Sequence, residues 1–312
     1  MASVESVLVT GGAGFIGSHL VDALLARGCR VRVLDNLVTG RQENLAGQGD
    51  RIEWIPGDCA DFETCVKATD GISVVFHQAA IPSVPRSVRE PLLSHQSGPT
   101  ATLNILEAAR HNGARRVIFA ASSSAYGDTD ELPKQEDMLP RPLSPYAAGK
   151  LAGEHYVRVY ARTMGLDGVS LRYFNVFGPR QDPSSPYSGV ISLFVDALRE
   201  GRRPTIFGDG EQTRDFTFVQ NVVTANLLAM DAATTLAGDV LNVGTGDRIS
   251  LNQLVATMNS ILGTDLQPVY QPSRAGDVRD SQADLTRIGQ LLGYRPTVDF
   301  ESGLRLTLGA DR

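Results

Sequence analysis

Val7-Leu8-Val9-Thr10-Gly11-Gly12-Ala13-Gly14-Phe15-Ile16-Gly17 is the stretch that decides the fold. An apolar, β-rich run over 7–10 ends in two glycines. A helix over 15–26 follows, with Ile16, Leu20, Ala23 and Leu24 at helical spacing. Gly11, Gly14 and Gly17 stand in the order GxxGxxG. At a strand–turn–helix junction, glycines let the backbone bend sharply and approach a pyrophosphate, and the helix N-terminus offers it free N–H groups. A second apolar run, 31–34, is closed by Asp35, eighteen residues after Gly17. A carboxylate there can accept from both ribose hydroxyls of NAD and would repel the extra phosphate of NADP.

The pattern extends outward from this unit. Runs at 52–55, 74–77, 116–121 and 169–173 read as further strands, and 101–111 and 145–164 as helices. Strands alternating with helices imply βαβ units, so the fold expected is α/β: a Rossmann-type doubly wound parallel sheet covered on both faces. The NAD-binding domain is expected over 1–175, with a later strand at 240–243 returning to it. A smaller mixed α/β substrate-binding lobe is expected over 176–312. It should hold a loop at 179–189, a helix at 190–200, short strands within 204–218 and a helix at 221–230. Surface helices follow at 250–262 and 285–292. Ligands of open α/β sheets sit at the carboxyl ends of the strands, which puts the site between the lobes.

Composition narrows the function. The 312 residues are 42% hydrophobic and 21% charged, which suits a folded chain with a large core and excludes disorder. With 29 basic and 35 acidic residues the net charge is −6, so no nucleic-acid partner is expected. Three cysteines without a CxxC pair argue against a disulfide framework or a metal site. The N-terminus does not read as a signal peptide, and no apolar stretch is long enough to span a membrane. The expected location is the cytoplasm.

Further candidates lie at the strand ends. Asp58, after Gly57, can accept from an adenine amino group, and Ala79 and Ala80 are small enough for a dinucleotide to pass over the fourth strand. Tyr146 and Lys150 stand four apart, on one helix face. A free tyrosine is a poor base at neutral pH. A nearby ammonium favours the phenolate, so the pair is expected to act as an acid–base unit with a lowered tyrosine pKa. Ser122 opens Ser122-Ser123-Ser124 at the end of the fifth strand and supplies a hydroxyl for the same substrate oxygen.

Together, GGAGFIG, Asp35, Gly57-Asp58, His77-Gln78-Ala79-Ala80, the SSSAYG segment at 122–127, Tyr146-xxx-Lys150 and the RYFNVFGP segment at 172–179 resemble the extended short-chain dehydrogenase/reductase family. More closely, they resemble its NAD-dependent UDP-sugar 4-epimerases, especially those acting on UDP-N-acetylglucosamine. The resemblance implies that Ser122, Tyr146 and Lys150 are catalytic, with Lys150 also holding the nicotinamide ribose. It implies that Phe15, Ile16 and Asn36 join the glycines, Asp35, Asp58, Ala79 and Ala80 around NAD. On the substrate side it implies Ser83, Ser123 and Asn175, with Phe207 against the uracil. Arg214 and Arg274 match diphosphate-binding arginines, and Asp277 an acid that holds the uridine ribose. Ser281, four beyond Asp277, matches a position bordering the sugar's 2-substituent, where a bulky tyrosine excludes an N-acetyl group. Gly98 departs from the family, which often has Asn there, and Pro99 follows, so this helix start is expected to differ locally. The helices 101–111 and 145–164 form an intersubunit bundle in the family, which implies a homodimer.

The activity so implied is 4-epimerisation of a UDP-hexose through a 4-keto sugar. The alternatives on the same fold are an NDP-sugar dehydratase, or a UDP-glucuronate epimerase or decarboxylase. Related dehydratases and decarboxylases carry Asp or Glu just after the catalytic Ser or Thr, where this chain has Ser123 and Ser124. A uronic acid would need a cation such as Arg86. A catalytically idle NAD-binding scaffold is disfavoured by the complete Ser122, Tyr146 and Lys150 set.

Overall fold

A computed structural model describes residues 4–182, 189–273 and 278–310. The strands of the main sheet are β1 (Ser6–Thr10), β2 (Arg30–Asp35), β3 (Ile52–Pro56), β4 (Val74–His77), β5 (Arg116–Ser122) and β6 (Asp167–Tyr173). Shorter strands β7 (Val176–Phe177), β8 (Thr205–Phe207), β9 (Thr213–Arg214) and β10 (Thr217–Phe218) precede β11 (Asp239–Val243). β12 (Ile249–Ser250) and β13 (Val269–Gln271) complete the set. The main sheet has seven strands in the order β11-β6-β5-β4-β1-β2-β3, every neighbouring pair parallel. β11 comes from late in the chain, and its register Val240↔Ser170 joins it to the β6 edge as expected.

Helices cover both faces. α1 (Phe15–Ala26), α2 (Phe62–Thr69), α3 (Val84–Arg89), α4 (Pro91–His95), α5 (Ala101–His111) and α6 (Pro145–Thr163) come from the first half. α7 (Val190–Arg199), α8 (Val219–Asp231), α9 (Leu251–Leu262), α10 (Thr286–Leu292) and α11 (Phe300–Leu308) come from the second. One face packs Val7, Val9, Leu20, Leu24 and Phe76 with Val222, Met230 and Leu241; the other packs Leu8, Val75, Ile105, Leu106, Val117 and Phe119. Both sides of these strands are apolar, as a doubly covered parallel sheet requires. A separate core gathers Phe177, Phe194, Ile206, Phe218, Leu254, Met258 and Leu304 from α7, α9, α11 and the short strands.

Two helices expected in the smaller lobe need correction, and one loop falls partly outside the described residues; the helix at 221–230 packs through Val222, Val223 and Met230 in the main-sheet core. The helix at 285–292 is not a surface helix of the smaller lobe. Ile288 and Leu292 are buried in the main-sheet core, because α10 packs on β11 and α8. Helices α2, α3, α4 and α11, unmarked in the sequence reading, fill the connections. The loop at 179–189 is described only up to 182 and at 189.

α6 approaches the sheet unusually closely. A Cβ on Gly153 would lie 2.4 Å from the ring of Phe119 on β5, so α6 can rest on that ring only because Gly153 has no side chain. In an exposed helix, Gly→Ala stabilises by about 1 kcal/mol. Here Gly153→Ala is expected to do the opposite and destabilise by about 1–3 kcal/mol through overpacking. Urea denaturation reads the sign.

Candidate active site

The chain runs β1, β2, β3 in one direction and resumes with β4 on the other side of β1. Such a reversal opens a crevice at the carboxyl ends of β1 and β4. Gly11 sits there at φ +68°, and a Cβ on it would come within 2.8 Å of the Ala79 backbone. A Cβ on Gly17 would overlap the carbonyl oxygen of Gly11. The glycines therefore let α1 and the end of β4 close on one another and leave the backbone bare.

Asp35 ends β2 beside this turn. Its Oδ2 accepts from Ala13 N at 3.0 Å and its Oδ1 from Leu37 N at 2.8 Å. Burial pushes the carboxyl up from its usual range, and these N–H groups oppose the push. A carboxylate has about four acceptor positions, so capacity remains for a ribose hydroxyl. Asn36 Nδ2 donates to Asp58 Oδ2 at 2.9 Å, tying the ends of β2 and β3 together. Phe15 and Ile16 open α1, and Ala79 and Ala80 follow β4.

Ser122 ends β5, and α6 begins near it. Ser144 caps α6 by accepting from Ala147 N at 3.2 Å, and Pro145 sits in the first turn, where its missing N–H costs nothing. That start places Tyr146 beside Ser122. Ser122 Oγ accepts from Ser124 Oγ at 2.8 Å and from Ser124 N at 3.2 Å, which leaves its own proton to donate. Ser124 is thus an orienting residue that the sequence reading passed over. The Lys150 ammonium lies 6.0 Å from the Tyr146 ring centroid and donates to Ala120 O at 2.6 Å. That is its one hydrogen bond among the described residues, so two N–H groups stay uncommitted.

The lowered tyrosine pKa expected from the Tyr–Lys pair is not what this site produces. Burial raises Tyr146 above its ordinary value, and the Ser122 hydroxyl draws it only partly back. Lys150 is brought down to about 8 by burial, against the pull of Glu154. An ammonium in a dry site is itself disfavoured, so burial is the leading cause of both shifts.

A buried chain of hydrogen bonds supports the β4 end. Ala79 N donates to Thr10 Oγ1, which lies 2.7 Å from His77 Nδ1; His77 Nε2 lies 3.1 Å from Thr102 Oγ1. Thr102 spends its proton on Gly98 O at 2.9 Å. It must therefore accept from Nε2–H, which assigns the neutral His77 tautomer. Burial first, and then the Lys150 charge, hold His77 down at about 3. Gly98 lies in a π-helical turn, Gln96–Thr100, around Pro99, which lacks the N–H that a regular ladder needs. Gln78, Tyr173 and Asn226 form a second buried polar cluster beneath the crevice.

On the other side, Asn175 stands at φ +29° between β6 and β7. Its Nδ2 donates to Asp215 O at 3.2 Å and to Ser281 Oγ at 3.1 Å. Asp215 is fully buried and accepts from Thr245 N, Gly246 N and Ala283 N, binding three segments together. Arg214 Nη1 donates to Thr213 O and Arg279 O, and Ser281 N donates to Thr213 O. The structure thus brings Asn175, Arg214 and Ser281 together. Phe207 ends β8, paired with Gln271 of β13. Ser83 is buried and caps α3, and Ser123 opens the short turn after Ser122. Arg274 and Asp277 lie outside the described residues.

A profile for the NAD dependent epimerase/dehydratase family matches residues 7–244. The chain belongs to that family. It is 43% identical over 305 residues to the UDP-glucose 4-epimerase of Mycolicibacterium smegmatis, covering 96% of each chain. Two solved structures match nearly the whole chain. One is the UDP-N-acetylglucosamine 4-epimerase of Methanobrevibacter ruminantium M1 in complex with UDP-N-acetylmuramic acid (TM-score 0.94, 40% identity, 99% and 98% of the two chains). The other is the UDP-glucose 4-epimerase of Thermotoga maritima with UDP-glucose (TM-score 0.92, 41% identity, 98% of each). The family's NAD fits the crevice: bare glycine backbone at the α1 N-terminus, a carboxylate with acceptor positions to spare at Asp35, and free N–H groups on Lys150. Among the described residues, no helix is long and apolar enough to cross a membrane.

Proposed function

We propose that this chain is an NAD-dependent UDP-sugar 4-epimerase that interconverts UDP-N-acetylglucosamine and UDP-N-acetylgalactosamine, with the UDP-glucose/UDP-galactose pair as further substrates. The observation that carries the reaction class is the convergence of Ser122, Tyr146 and Lys150 at the crevice mouth, with neutral Ser123 and Ser124 beside them. Bound NAD supplies a hydride acceptor for C4 of the sugar and returns the hydride. Tyr146, ionised to its phenolate, takes the proton of the 4-hydroxyl on Oη and gives it back once the keto sugar has presented its other face. Ser122, its acceptor positions held by Ser124, donates to the same sugar oxygen. Lys150 turns its uncommitted N–H groups to the nicotinamide ribose and keeps a positive charge near the phenol. Asp35 selects the ribose that carries a free 2′-hydroxyl. Elimination or decarboxylation would need an additional acid or base after Ser122, and Ser123 and Ser124 do not ionise usefully.

The nucleotide half of the substrate is assigned to the second half of the chain. Asn175 and Arg214 take the diphosphate with Arg274, Phe207 packs the uracil, and Asp277 holds the uridine ribose. Ser281 gives the N-acetyl group its room. It is small and held by Asn175, so a larger side chain there would project into space that the sugar needs.

A homodimer is part of the same proposal. Val88 and Leu92 on α3 and α4 and Val159 on α6 are large apolar residues left exposed, with Leu92 at 79%. A groove of about 260 Å³ between α4 and α6 is lined by Pro91, His95, Pro99 and Ala152. A second copy would cover this face. Light scattering at micromolar concentration should give twice the 33.5 kDa chain mass; the mass of one chain would refute the pairing.

Tyr146→Phe is expected to fold and retain NAD but to lose 10²–10⁴-fold in turnover, the usual contribution of one general acid–base group. Unchanged turnover would mean that another group is the base. With a panel of UDP-sugars resolved by NMR, Ser281→Tyr should suppress kcat/KM for the N-acetylated pair selectively. Overpacking a filled pocket typically costs about 1–3 kcal/mol. An equal loss for both pairs, or a wild type that rejects N-acetylated sugars, contradicts the assignment of Ser281.

A further inference from the structure

Three polar side chains stand one turn apart along one side of α6: Tyr146, Lys150 and Glu154. The first two belong to the reaction proposed above, and the third has no part in it. Glu154 is almost fully buried, with 3% of its side chain exposed. Its carboxylate accepts from Arg172 Nε at 2.8 Å and Nη2 at 2.7 Å. Arg172 is as deeply buried. Its guanidinium lies 4.5 Å from the Tyr126 ring centroid, and its Nη1 has no hydrogen-bond partner. β6 places Arg172 opposite Ala121, next to the residue whose carbonyl holds the Lys150 ammonium.

Glu154 is therefore paired with one buried cation, Arg172, and stands one helical turn from another, Lys150. A purely structural link between α6 and β6 does not require such charges, because apolar side chains of similar size serve as well or better. We infer that Glu154 is a positioning residue for the reaction: it keeps Lys150 charged, and Arg172 limits that effect by sharing the carboxylate. This inference rests on the acid–base role proposed for Lys150.

The surroundings leave Glu154 as the anion available to Lys150. His77 of β4 is neutral above about pH 3. Tyr126 and Tyr173, pushed up to about 12 by burial, stay neutral as well. Among the elements packed on α6, Arg86 of α3 is paired with Glu90. Glu107 of α5 is taken by Arg110 and the Tyr160 hydroxyl, and Arg116 of β5 by Asp167. Arg89 of α3, His95 of α4 and His111 of α5 are the other ionisable groups there.

The chain has only three lysines, Lys67, Lys134 and Lys150, so the ammonium can be watched directly. In the NAD-loaded protein labelled with ¹³C at lysine Cε, the Lys150 signal is the one missing from Lys150→Arg. Its titration midpoint should fall by about one pH unit or more in Glu154→Gln, the size of shift that loss of a nearby opposite charge produces. It should rise in Arg172→Met. Arg172→Lys, which keeps the charge and is the milder change, should leave it in place. The alkaline limb of the turnover profile should follow the same shifts. Midpoints that stay fixed, or that move the same way in Glu154→Gln and Arg172→Met, would overturn the inference and leave Glu154 a packing residue. Midpoints that shift as stated in a protein without turnover would instead overturn the function proposed for Lys150.

Discussion

The contact of α6 with β5 is the constraint on which the candidate site depends. Gly153 lets the helix settle on the Phe119 ring. At that separation the Lys150 side chain reaches Ala120 O, and the first turn of α6 brings Tyr146 beside Ser122. A helix standing off by the thickness of one methyl group would pull the ammonium from its carbonyl. Phe119 also stacks on His77, with ring centroids 5.7 Å apart. The same ring therefore joins Lys150 to the hydrogen-bonded chain under the β4 end. Geometry on this scale matters because a displacement of about 1 Å at reacting groups can cost about 10²-fold in rate.

Burial gives the site its electrostatic character and its difficulty. It raises the phenol of Tyr146 and lowers the ammonium of Lys150, and both shifts oppose the ion pair that a solvent-exposed Tyr–Lys pair would favour. Oriented groups answer this burial. Ser124 turns the Ser122 proton outward, Ala120 holds Lys150, and Glu154 supplies a buried negative charge. Low-dielectric surroundings strengthen each of these interactions.

Much of this was legible in the sequence because the signals are local. The strand–glycine–helix unit at 7–26 gave α1 at its true bounds, and β4 and α5 also fell where their apolar spacing placed them. Tyr146 and Lys150 were readable because i,i+4 spacing on a helix is a local relation. What remained hidden depended on distant partners. α10 is short and reads as an amphipathic surface helix; only the return of β11 to the sheet buries Ile288 and Leu292. Glu154 was readable in principle as the third member of the same face, yet its meaning needs Arg172, eighteen residues on and in strand β6. The rise in Tyr146 follows from desolvation, which no spacing rule reports. Asp215, which organises the segments around Ser281, looks in the sequence like any loop aspartate.

The central claim is that these groups act at C4 of a UDP-sugar by moving hydrogen to and from that carbon without exchange with water. UDP-N-acetylglucosamine carrying deuterium at C4, incubated with the purified protein in ordinary water, tests it most directly. NMR of the product should show the 4-epimer with its deuterium retained. A 4-epimer that has replaced deuterium with solvent hydrogen, or no 4-epimer from any UDP-hexose, would contradict the account.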